Sequence, residues 1–182
     1  MSLDGERLYA ALLDEIRAEF PRFRLIVKDR SVLQRSIARA LAALTLGAQR
    51  RYLTDYVTTI GARVYVPAGW ADRDPLDRVI TLRHERVHLR QFRRWTLPAM
   101  ALGYLLLPLP AGLAWCRYRL ERAAYEESLR ATFELRGPEA LCDAAFRARV
   151  VAQFTSGAYG WMWPFRRAIE RWYDRTAVAL VG

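Results

Sequence analysis

Asp74-Pro75-Leu76-Asp77-Arg78-Val79-Ile80-Thr81-Leu82-Arg83-His84-Glu85-Arg86-Val87-His88-Leu89-Arg90-Gln91-Phe92-Arg93-Arg94 is the stretch on which the reading of this chain turns. A carboxylate at the N-cap followed by proline at the first helical position is a strong helix start. The carboxylate takes up orphan amide hydrogens, and the proline has no amide to lose. The spacing predicts a helix over 75–94. In its middle lies His84-Glu85-Arg86-Val87-His88. Residues four apart share a helix face, so both imidazoles can reach a single Zn²⁺. Glu85, beside the first histidine, can address a water at the metal without being a ligand. A metal hydrolase requires such an arrangement: the ion acidifies a water and polarises the scissile carbonyl, and the carboxylate acts as general base and then acid.

Coincidence is a weak account of the pattern. His84 and His88 are the only histidines in the chain. Two positions drawn at random from a chain of this length fall four apart in roughly 1 case in 100, and a glutamate directly after the first lowers this to roughly 6 in 10,000. Two histidines leave a catalytic site incomplete, because such sites usually have three protein ligands and one open position. With no third histidine, a carboxylate must supply the ligand. Glu121 and Glu126, on the helix predicted over about 117–136, are the candidates.

His84-Glu85-x-x-His88 followed by helical Glu121-x-x-Ala124 resembles the gluzincin branch of the zincin metallopeptidases, which includes thermolysin and the Ste24-type proteases. More narrowly, it is similar to small bacterial domains with a His-Glu-x-x-His-x-x-Gln stretch, which Gln91 completes. The resemblance covers about residues 56–127. It implies His84, His88 and Glu121 as ligands, Glu85 as base, Zn²⁺ as cofactor and a peptide or protein as substrate. Many gluzincins carry aspartate four residues after the ligand glutamate; here that position is Tyr125, so the support around the ligands must differ. The resemblance also implies a strand beside the active-site helix that pairs with extended substrate, for which Arg63–Pro67 is the candidate edge strand. An oxyanion stabiliser is expected as well, with Tyr159 in its glycine-flanked loop the candidate.

Outward from the motif, the pattern is α+β and helix-dominated: a zincin-like active-site helix beside a small sheet, in one domain over 1–182. Leu8, Leu12, Ile16 and Phe20 recur at helical spacing over 4–20 before Pro21. A short strand is expected over 22–28, a helix over 31–46, and a strand pair over 56–60 and 63–66 around Gly61-Ala62. Further helices are expected over 138–154 and 165–178, joined by an aromatic loop.

From Trp95 to Cys116 no residue carries a charge, a length that meets the threshold for a membrane span. Pro98, Pro108 and Pro110 argue against one regular helix. A single span would also put Glu121 and the histidines on opposite faces of a bilayer, so a shared metal and a span exclude each other. The expectation is an apolar hairpin over about 95–116, turning near Pro108-Leu109-Pro110, buried or in peripheral contact with a membrane. The N-terminus lacks a basic and an apolar signal region, and two cysteines make no disulfide scaffold, so a cytoplasmic chain is expected.

The net charge of +10 and pI near 10.3 open a rival reading: a non-catalytic basic domain that binds nucleic acid or an anionic membrane surface. All basic residues but Lys28 are arginine, which points to coding bias as readily as to phosphate contacts. With no DNA- or RNA-binding motif, nucleic acid is the weaker partner.

Overall fold

A computed structural model describes residues 3–28, 57–95, 115–156, 162–163 and 165–182. The fold is α+β and helix-dominated, with a small sheet. The chain divides into two compact units, Met1–Arg93 and Arg94–Gly182.

In the first unit, helix α1 (Leu3–Glu19) is followed by strand β1 (Arg24–Val27), β2 (Thr58–Ile60), β3 (Arg63–Val66) and helix α2 (Pro75–Arg94). Helix α1 buries Leu12 and Ile16, and Phe20 continues the stripe just beyond its end. β2 and β3 form the antiparallel pair expected around Gly61, whose φ of 60° is the left-handed turn conformation that glycine adopts without strain. β1 pairs with the other side of β3, parallel, with Leu25 opposite Val64 and Val27 opposite Val66. The sheet order is therefore β1-β3-β2.

That order corrects one expectation. The strand over Arg63–Val66 is the central strand, with both edges already paired, so it has no free backbone to offer a substrate. Its unbroken buried run Val64-Tyr65-Val66 is the composition of a strand covered on both faces.

Helix α2 begins where Asp74 and Pro75 require. Asp74 Oδ1 accepts hydrogen bonds from the amides of Leu76 (3.0 Å) and Asp77 (3.2 Å). At its start, α1 passes so close that a Cβ on Gly5 would stand 3.0 Å from Pro75 Cβ. Along the two helices run ion pairs: Arg78 with Glu6, Arg86 with Glu15 and Glu19, and Arg90 with Glu19. The Arg78 guanidinium also lies over the Tyr9 ring, 4.3 Å from its centroid.

The second unit holds α3 (Trp115–Arg136), α4 (Pro138–Cys142), α5 (Ala144–Thr155) and α6 (Arg166–Val181). Its core joins Tyr118, Leu129, Leu141, Val151, Phe154, Ile169, Trp172 and Tyr173, among others. The helix expected over 138–154 is two helices. Asp143 adopts an extended conformation and accepts a hydrogen bond from the Phe146 amide, so it ends α4 and caps α5. Among the described residues, no helix is long and apolar enough to cross a membrane. The expected helix over 31–46, Tyr159 and nearly all of the apolar 95–116 segment lie outside the described residues.

Candidate metal centre

The buried stripe of α2 runs Pro75, Arg78, Val79, Leu82, Glu85, His88, Leu89. This is the period of a helix face that packs on a core, yet it carries a carboxylate and an imidazole. Burying such groups is costly unless each is partnered. Both are.

His88 Nδ1 lies 2.9 Å from Gln91 Oε1. An amide oxygen only accepts, so this contact suits the His88 tautomer that carries its proton on Nδ1 and leaves Nε2 as a lone pair. That Nε2 is 3.2 Å from His84 Nε2, with the two rings edge to face at 69°. Two nitrogens bound to one zinc at 2.0–2.1 Å in tetrahedral geometry would stand about 3.3 Å apart. The separation of the pair is therefore compatible with a shared metal, and one of the donors is held by a neighbour on the same helix.

Glu85 is 5% exposed. Its Oε2 accepts a hydrogen bond of 2.6 Å from Thr59 Oγ1, which fixes the carboxylate from β2. The preceding residue, Thr58, accepts a hydrogen bond of 3.0 Å from Lys28 Nζ. Lys28 directly follows β1 and is fully buried. Burial pushes its amine down from 10.5 to about 8, while the negative charge of Glu85 pulls it back up. Sheet and helix are thus joined by a polar cluster of Lys28, Thr58, Thr59 and Glu85. Sequence reasoning missed Lys28, Thr58 and Thr59. The one available signal was that Lys28 is the only lysine in a chain otherwise built with arginine.

In the second unit, α3 carries both candidate glutamates. Glu126 Oε1 accepts hydrogen bonds from Trp172 Nε1 (3.0 Å) and Arg122 Nε (3.1 Å), which commits it to holding α6 against α3. Glu121 is half-buried on the same helix. No protein-family model, curated protein or solved structure matches the chain.

Proposed function

We propose that the chain is a zinc-dependent hydrolase of the gluzincin kind, a metallopeptidase acting on peptide bonds in the cytoplasm. The observation that carries this reading is the convergence of His84 Nε2 and His88 Nε2 at 3.2 Å, one residue from a buried, hydrogen-bonded carboxylate. On the resemblance, His84, His88 and Glu121 would hold the metal; two imidazoles and a carboxylate are a donor set that could bind it and leave a fourth position open. When bound, zinc supplies a Lewis acid that polarises the scissile carbonyl and acidifies a water.

The remaining work falls to the protein. Glu85 takes a proton from the attacking water and returns it to the departing amine. Thr59 restrains one of its oxygens, so the other is the one presented for the transfer. Gln91 keeps the His88 proton on Nδ1. The resemblance makes Glu121 the third ligand, with Glu126, which accepts a hydrogen bond from Trp172, the alternative.

Metal content by inductively coupled plasma mass spectrometry tests the reading. About one zinc per chain is expected in the wild type, lost in His88→Ala and in Glu121→Ala. Glu85→Gln should keep the metal and lose about 10²–10⁴-fold in turnover of a quenched fluorescent peptide mixture. Zinc retained in Glu121→Ala would remove that residue from the ligand set. A wild type that takes up no zinc after incubation with it would sink the enzyme reading.

A further inference from the structure

A second feature, unrelated to the histidines, lies at the start of α3. Trp115 opens that helix with 54% of its surface exposed, and Arg119, one turn on, lies with its guanidinium 5.3 Å from the centre of the indole. Tyr118, on the adjoining ridge, stacks on Trp163 at 4.7 Å and 14°. Trp163 in turn meets Phe165 edge to face at 5.3 Å, and Phe165 is 55% exposed. Tyr118, Trp163 and Phe165 therefore form an aromatic file in the second unit that surfaces at Phe165, and the exposed Trp115 stands three residues before Tyr118 on the same helix. Arg119 accompanies Trp115, and Arg166 and Arg167, both exposed, follow Phe165.

Exposed apolar rings grouped with one another mark interaction sites more than single exposed ones do. Amphipathic rings with arginines beside them suit the headgroup layer of a bilayer, where the ring lies at the apolar boundary and the guanidinium meets phosphate. The chain that leads into Trp115 bears on the choice of partner: residues 96–114 contain no charged side chain. A single-stranded nucleic acid would also take arginine and aromatic contacts, but it has no use for the nineteen uncharged residues that precede Trp115 in the sequence.

We propose that the surface formed by Trp115, Arg119, Phe165 and Arg167 docks on an anionic phospholipid bilayer. The rings enter the headgroup region and the arginines supply the preference for negative lipid. This proposal is independent of the metal reading.

Co-sedimentation of the full chain with large vesicles tests it, using phosphatidylcholine alone against phosphatidylcholine with about a third phosphatidylglycerol. The wild type should sediment with the anionic vesicles, and far less with the neutral ones or at high salt. Trp115→Ala with Phe165→Ala should cut the bound fraction roughly tenfold, and Arg119→Gln with Arg167→Gln should abolish the preference for anionic lipid. The conservative pair Trp115→Phe with Phe165→Trp should retain binding, which separates loss of the surface from loss of the fold. Unchanged binding by the alanine pair, or equal binding to both vesicle types, overturns the proposal. So does displacement from the vesicles by a single-stranded oligonucleotide bound through the same residues, which would assign the surface to nucleic acid.

Discussion

Thr59 and Lys28 define the chemistry that packing imposes on the Glu85 carboxylate. Replacing Thr59 by valine keeps the volume of the strand residue and removes the hydroxyl that donates to Glu85 at 2.6 Å. The expected outcome is a fall in kcat of about tenfold with zinc content unchanged, and recovery in Thr59→Ser, because a positioning hydroxyl is restored where a methyl is not. Lys28 sets a pH dependence. Its folded value, near 8, lies below the unfolded one of 10.5, so between these values the unfolded chain holds more protons and stability rises with pH. Tyr173 acts the other way: burial holds its phenol near 12, so above about pH 10 its contribution is lost as pH climbs. Urea unfolding across pH 7–11 should therefore show a maximum near pH 10, and Lys28→Met should flatten the rising limb. A wild-type profile that falls steadily through pH 8–10 would contradict the burial of this amine. None of this was legible in the sequence, because Lys28, Thr59 and Glu85 are brought together by pairings across tens of residues. The histidine pair was legible, since helical spacing alone sets its geometry. The hydrogen bond that Glu126 accepts from Trp172 was not, because Trp172 reaches it from another helix.

Helices α1 and α2 are clasped through Glu19, whose carboxylate receives Arg90 and Arg86 at 2.7 Å each. The hydrogen bonds from Arg90 and then Arg86, working against burial, lower its pKa from 4.5 to about 2. A carboxylate depressed in the folded state stabilises above its unfolded pKa, and that contribution is lost as pH falls from about 4.5 to 2. Glu19→Gln should cost about 1–2 kcal/mol at neutral pH and make unfolding less acid-sensitive, as read by urea titration at pH 7 and pH 3. At this scale the sequence read well where signals were local. Asp74-Pro75 and the run to Arg94 gave α2 at both ends, and Gly61-Ala62 gave the strand pair. The central place of β3 was hidden because its parallel partner, β1, lies some forty residues earlier. The break between α4 and α5 is hidden in the sequence because 138–154 has one helical pattern, although Asp143 can cap the Phe146 amide.

Each of the two units carries buried apolar side chains of its own, and in the second four of the ten residues in the buried core cluster are aromatic. Phe154 is fully buried and meets Tyr118, Tyr125 and Trp172 with ring centres 5.2–6.0 Å apart. Phe154→Ala should destabilise that unit by about 3–5 kcal/mol, measurable by denaturant titration. The net charge of +10 is carried almost wholly by guanidinium groups, which remain protonated at any pH a protein tolerates. The single amine side chain has a further use. A lysine-specific endoprotease has only the bond after Lys28 to cut, and an amine-selective reagent finds no other amine side chain. The folded chain withholds the site from both, so the rate at which either acts is a clock for how often the sheet comes away from α2.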